Sequence, residues 1–357
     1  MLVGLAAACD STAGPLGATP LAGSVSPGPG LAGCVSPAPG WTRMTGALPA
    51  GVVVVTFLDR CTGVLAVGAS APPSSSPPGT AGASLWRTTD GGRTWALAER
   101  LDGVDVLAIA PVGSSGVVAV GGRTTGSGTT PIAFLSGDGG RTWRPVAVPG
   151  RGILRAVAFG DGSRGVAAGN FFAAVTADGG RTWTEVPLAD LPDLAAAAAD
   201  PGHISLAGQD IHGQPVVLTS TDGGRTWASS VVLAGQGRVQ ALARDGAVLW
   251  AGGFVEPNDR APFLRVSADG GATWAAASTP EPVQVVSVGT VDGQHGVMSA
   301  FAGPGRAALL QTSDGGSHWR VALTGSLAGG YAFPGPVSVT AAGDWAVGGT
   351  DLYARAP

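Results

Sequence analysis

Lysine is missing altogether from these 357 residues, and arginine supplies all 20 basic side chains. Charged residues of either sign make up only 12% of the chain, the formal net charge is -4, and no basic block gathers anywhere. Binding along a nucleic-acid backbone depends on clustered neutralisation of phosphates, so that class of partner is excluded. The skew from lysine to arginine reads as coding bias in a chain rich in Ala and Gly, not as a functional device. Tyrosine is almost as scarce, at Tyr331 and Tyr353, and glutamate occurs only at Glu99, Glu185, Glu256 and Glu281. Histidine is scattered as His203, His212, His295 and His318, with no spacing suited to a metal and no partner set for a nucleophile. No metal, cofactor or catalytic residue is therefore expected. Beyond the N-terminus no stretch reaches the roughly 18 apolar residues that span a bilayer.

What the chain does have is 45% hydrophobic residues, enough for a large core, together with 60 glycines and 27 prolines. The glycines recur with a period instead of clustering, which predicts many short strands joined by tight turns and an all-β class.

The first residues, MLVGLAAAC, are apolar and end at Cys9, with small residues ahead of the cysteine that suit a signal peptidase. They are read as a lipoprotein leader over 1–9 with Cys9 lipidated, although no Arg or Lys precedes the short apolar run. An ordinary apolar N-terminus with an incidental cysteine is the alternative. Residues 10–40 are Pro, Gly, Ser and Ala with almost no charge, a composition that makes a flexible tether. The expected location is extracytoplasmic, with membrane contact through a lipid anchor alone. Cys34 and Cys61 then remain either as a disulfide pair, which an oxidising compartment permits, or as two unrelated thiols.

One octapeptide recurs six times: TTDGGRTW, SGDGGRTW, TADGGRTW, STDGGRTW, SADGGATW and TSDGGSHW. Its aspartates, Asp90, Asp138, Asp178, Asp222, Asp269 and Asp314, are spaced by 48, 40, 44, 47 and 45 residues. About 45 residues is the length of a four-stranded propeller blade. Gly-Gly supplies the positive φ of a tight turn, and the carboxylate can accept amides across it. The closing aromatics Trp95, Trp143, Trp183, Trp227, Trp274 and Trp319 carry enough apolar area to wedge between blades. These residues are structural, because identical boxes on separate blades cannot converge on one ligand.

Seven apolar segments precede or follow the boxes as candidate innermost strands: 52–57, 104–110, 153–159, 194–199, 238–243, 284–288 and 336–341. Six boxes against seven inner strands leave the last blade one strand short, and Trp41 in GWTRMTG opens the domain as an outer strand without a blade. The expected fold is thus a seven-bladed β-propeller of four-stranded antiparallel blades over 41–357, its ring closed by the N-terminal strand, which removes two exposed sheet edges.

The S/T-x-D-G-G-x-T-W boxes resemble those of the bacterial neuraminidase repeat, or Asp-box, propellers over nearly all of 41–357. That superfamily includes sialidases, xyloglucanases, sortilin-like receptors and photosystem II stability and assembly factor-like propellers. In character the chain is most similar to the last of these. The resemblance implies fold far more than activity, because function sits on other loops. A sialidase-like enzyme would carry an Arg triad, a Tyr–Glu pair and an Arg-Ile-Pro motif, none of which is recognisable here. The reading is a non-catalytic binding or assembly module, monomeric, with a protein or glycan partner. A sialidase-like or xyloglucanase-like glycoside hydrolase, which needs two facing carboxylates, is the alternative.

Loops opposite the boxes are where propellers meet ligands. The charged or amphipathic residues expected there are Arg151, Asp190, Asp193, Asp210, His212, Arg238, Glu256, Asn258, Asp259, Arg260 and Tyr331. The densest patch, QDIH (209–212) with EPNDR (256–260), nominates Asp210, His212, Glu256, Asp259 and Arg260 as partner-binding residues.

Overall fold

The computed structural model describes residues 34, 40–44, 48–68, 82–170, 172–186, 188, 193–256, 261–303, 306–326, 334–348 and 351–356. Cys9, the tether apart from Cys34 and Gly40, and Asp190, Asn258, Asp259, Arg260 and Tyr331 lie outside them. All the regular structure among the described residues is β, in seven antiparallel sheets of four strands each. The innermost strands are Val52–Phe57, Val104–Val112, Leu154–Phe159, Asp193–Asp200, Gly237–Asp245, Gln284–Thr290 and Pro334–Thr340, and they number blades 1 to 7. No helix among these residues is long and apolar enough to cross a membrane.

The ring closes as the strand count requires. Thr42–Arg43 pairs with Asp351–Arg355, Thr42 opposite Ala354 and Arg43 opposite Tyr353, and supplies the fourth strand of blade 7. Met44 N adds a bond to Leu352 O at 2.8 Å, and Arg43 Nη2 meets Asp351 Oδ1 at 2.6 Å. Trp41 stands one residue ahead of this strand, its ring 5.7 Å from the Arg355 guanidinium carbon. With the Gln311 amide oriented to satisfy its neighbours, Gln311 Oε1 accepts from Trp41 Nε1 at 2.6 Å, which ties blade 7 to blade 6. Cys34 and Cys61 form a disulfide with Cα atoms 5.6 Å apart, pinning the chain before the closing strand to the inner hairpin turn of blade 1.

Apolar packing runs between blades, because each sheet buries its face on the next. Val118, Val120 and Leu135 of blade 2 meet Leu154, Phe172 and Trp183 of blade 3, and Trp250 of blade 5 meets Met298, Leu310 and Trp319 of blade 6. At the closure, Phe57 of blade 1 stacks on Trp345 of blade 7 with centroids 4.0 Å apart. Each such side chain contributes about 1.5 to 3 kcal/mol by leaving water.

The boxes are turn staples. At Asp178, Oδ1 accepts from Thr176 Oγ1, Arg181 N and Thr182 N, each at 2.9 Å, while Oδ2 accepts from Thr182 Oγ1 at 2.6 Å. Gly179 and Gly180 hold φ of 74° and 83°, which an L side chain resists. The indoles of Trp95, Trp143, Trp227 and Trp319 donate to the carbonyl of the second box glycine. Trp274 instead donates to Ser230 Oγ at 3.1 Å, across the seam to blade 4, and Trp183 Nε1 is buried without a partner.

Candidate functional site

The box aspartates are held as anions by the same bonds that lock their turns. Burial pushes Asp138 and Asp178 up, but the hydroxyl and amide of the following threonine, with the preceding Ser or Thr, outweigh it and bring both to about 2. At Asp269 the Thr273 hydroxyl is the largest cause, and the carboxyl again falls to about 2. A carboxylate so engaged has little capacity left for a ligand or a proton.

Because strands alternate in direction, the boxes share one face of the ring with the inner hairpin turns, and inner strands begin at the other face. Gly91 N donating to Cys61 O at 2.9 Å shows the pairing of box and turn in blade 1. At the start of each inner strand the register slips, skipping Val53, Leu107, Arg155, Ala195, Gln240 and Val286 in blades 1 to 6 and 335–336 in blade 7. A bulge re-aims the side chain it displaces, and here seven of them ring the mouth of the central channel. That channel encloses about 340 Å³ between residues of all seven inner strands, among them Arg155, Gln240, Val286 and Pro336. Val53 and Leu107 are exposed at 40% and 37%.

Charge concentrates on one side of this mouth. Asp193, at the start of the inner strand of blade 4, lies between Arg155 of blade 3, Nη1 to Oδ1 at 3.5 Å, and Arg238 of blade 5, Nη1 to Oδ2 at 3.0 Å. Side-chain exposure is 15% for Asp193, 24% for Arg238 and 36% for Arg155. Asn170, bridged through its backbone to Asp193, completes the group. Asn170 Oδ1 and Arg238 Nε are buried with no hydrogen-bond partner, and Asp193 Oδ1 has only the 3.5 Å ion pair to Arg155. Unsatisfied buried polar atoms cost about 1 to 3 kcal/mol each, so this group leaves hydrogen-bonding capacity unused within the fold.

The residues nominated from sequence fare unevenly. Asp193 and Arg238 come together at the mouth, joined by Arg155 and Asn170, which the sequence reading passed over. Asp210 is a loop staple, its Oδ1 accepting from His212 N at 2.9 Å and Gln214 N at 2.8 Å. This loop tip exposes Ile211 at 57%. His212 is exposed beside it, and Glu256 N bonds Gln236 O at 2.7 Å on neighbouring blade 5. The four glutamates stand apart, on the outer strands of blades 1 and 3, on blade 5 and on the connection from blade 5 to blade 6. Among the described residues no group of three or more His, Cys, Asp or Glu could hold a metal ion.

No protein-family model matches the sequence, and no curated protein does. Solved structures match as folds. A YCF48 structure bound to a D1 peptide superposes with a TM-score of 0.61 at 18% identity, covering 91% of this chain and 99% of that one. YCF48 from Cyanidioschyzon merolae gives 0.60 at 15% identity, covering 89% and 99%. A GH74 xyloglucanase from Xanthomonas campestris gives 0.52 at 17% identity, covering 75% of this chain but 47% of the enzyme. The chain has the seven-bladed propeller fold of these proteins.

Proposed function

We propose that this propeller is a non-catalytic docking module that receives a polypeptide segment of a partner protein at the channel mouth opposite the boxes, on the outside of the cytoplasmic membrane. The observation that carries the reading is the Arg155–Asp193–Arg238 group with Asn170, whose buried unpaired atoms offer both donors and acceptors to an incoming backbone or side chain. Exposed Val53 and Leu107 on the same rim supply apolar contact, and a few such anchors dominate most interfaces. The peptide bound to the like-folded YCF48 supports a polypeptide as ligand. A disulfide between Cys34 and Cys61 and the lipoprotein-like start support an oxidising, membrane-attached setting.

Capture of partners from a solubilised membrane fraction tests this. The wild-type chain should retain a specific protein that the double variant Arg155→Ala/Arg238→Ala loses, with melting temperatures close enough to exclude misfolding. Equal capture by both chains would move the interface elsewhere. Purified protein should release no sugar from sialosides or xyloglucan, and hydrolysis abolished by one Asp or Glu substitution at the mouth would make it a glycosidase.

A further inference from the structure

The closing strand fixes the face from which the polypeptide ahead of the ring emerges. Inner strands start at the mouth face and direction alternates, so the third strand of blade 7, Asp351–Arg355, runs from the mouth face to the box face. Thr42–Arg43 lies antiparallel to it, Thr42 opposite Ala354 and Arg43 opposite Tyr353, and therefore runs from the box face toward the mouth. The residue ahead of it stands at the box end. Trp41 has its ring 5.7 Å from the Arg355 guanidinium carbon, and its Nε1 donates to Gln311, one residue before the Thr312 that opens the sixth box.

The disulfide places an earlier residue on the same face by a separate contact. Cys34 is bonded to Cys61, which sits in the inner hairpin turn of blade 1. That turn is fastened to the box of its own blade by Gly91 N on Cys61 O at 2.9 Å, and Cys34 Sγ stands 3.6 Å from Thr89 O within that box. Strand direction and disulfide agree. Whatever precedes Cys34 leaves from the box face at blade 1, whereas Arg155, Asp193 and Arg238 gather at the opposite face.

Chain length decides what this exit does to a ring attached through Cys9. Residues 10–33 number 24, and a coil of that length and of Gly-, Ser- and Ala-rich composition has a root-mean-square span of about 27 Å. The ring is about 23 Å deep, the length of a seven-residue strand such as Gln284–Thr290. With the box face toward the attachment point, the coil keeps its relaxed span. With the mouth turned that way, it must first pass the rim and then run the depth of the sheet, about 33 Å in all, which exceeds that span.

We propose that the chain is held from its box face, so that the channel mouth points away from the membrane and the partner segment it receives stands clear of the bilayer. That segment is a tail or loop borne by a water-soluble domain, not the stretch beside a membrane-spanning helix. Val53 and Leu107, exposed at the same mouth, face outward with the charged group. This orientation rests on the lipid-anchored docking reading and adds a direction to it.

Energy transfer in the full-length, lipid-bearing chain tests the orientation, in vesicles of phosphatidylethanolamine and phosphatidylglycerol that carry an acceptor dye on their headgroups. A donor dye is attached through Ala272→Cys on the box face or, in a second chain, through Ile211→Cys on the mouth face, both exposed positions. With Cys9 lipidated and Cys34 bonded to Cys61, the new thiol is the one left to label. Transfer from position 272 should be several times that from position 211. Equal transfer, or more from position 211, overturns the orientation and leaves the docking reading standing. A chain that does not float with the vesicles, or floats no better than Cys9→Ser, overturns the anchor and the orientation together. Crosslinks from the mouth that map beside a membrane-spanning helix of a captured partner would overturn the choice of segment.

Discussion

Arg244 reaches across the seam between blades 4 and 5 to Asp200, Nε to Oδ2 at 2.9 Å, with 1% of its side chain exposed. It stands four residues past the bulge of its inner strand, the place held by Phe57 and Phe159 in blades 1 and 3. Those rings pack edge-on against Trp95 and Trp183, at 6.0 and 6.1 Å, while blades 2, 4 and 6 hold Pro111, Ala199 and Thr290 at this position and blade 5 alone of the first six puts a cation there. Arg244 Nη1 also donates to Ser205 Oγ at 2.8 Å. Arg244→Leu should cost about 3 to 5 kcal/mol, because it leaves Asp200 buried and short of its cation. The double variant Arg244→Leu/Asp200→Ser should lose less than the two single losses added, read by urea unfolding. Strict additivity would show that the pair is not coupled.

Asp178→Ala should lower stability by about 1 to 3 kcal/mol through the amides of Arg181 and Thr182 that it leaves unsatisfied. Partner capture at the opposite face should stay as in the wild type. Unchanged stability with lost capture would make Asp178 a functional carboxylate.

The box carboxyls titrate lower in the folded chain than in the unfolded one, so the unfolded state takes up protons first as pH falls. Their contribution is complete above the unfolded value near 4 and is lost as pH drops toward about 2, where Asp138, Asp178 and Asp269 titrate when folded. Melting temperature should therefore decline between about pH 4 and 2, and less steeply in Asp178→Asn, which has one such group fewer. Parallel curves for the two chains would assign the acid sensitivity to other groups.

Strand positions and ring closure were legible because they rest on local signals repeated at one period: Gly-Gly at positive φ, a following Trp, and an inner strand of small apolar residues. Counting inner strands against boxes was enough to place Trp41 beside blade 7. The channel mouth was only half legible. Asp193 and Arg238 stood out as charged residues where inner strands are entered, whereas Arg155 lies inside the apolar run ILRAVAF. Its direction depends on a one-residue register slip, which no spacing in the sequence marks. Arg244 escaped for a related reason. What sets it apart is a contact across a seam, to Asp200 of the neighbouring blade.

The Cys34–Cys61 bond closes a loop with a sequence separation of 27, and such a loop contributes about 3 to 4 kcal/mol by restricting the unfolded chain. Cys34→Ser/Cys61→Ser should lower the melting temperature to match, and a thiol reductant should do the same to the wild type. Hydrogen exchange at Ala354 and Tyr353, which face Thr42 and Arg43, should accelerate before exchange elsewhere in the ring. Exchange that speeds up uniformly would show that the bond steadies the whole molecule and not its closure.

The pairing of Arg43 with Asp351 joins residues 308 positions apart, and a two-residue strand must find its place between them. The strand Thr42–Arg43 must therefore wait, unpaired, until Asp351–Arg355 has been made. Contacts this distant in sequence are slow to form. Until they do, the outer edge of Asp351–Arg355 remains a bare strand edge, open to another molecule's Thr42–Arg43 as well as to its own. The last step of maturation is thus a competition between closing on itself and exchanging strands with a neighbour, and the concentration of newly made chains decides which one wins.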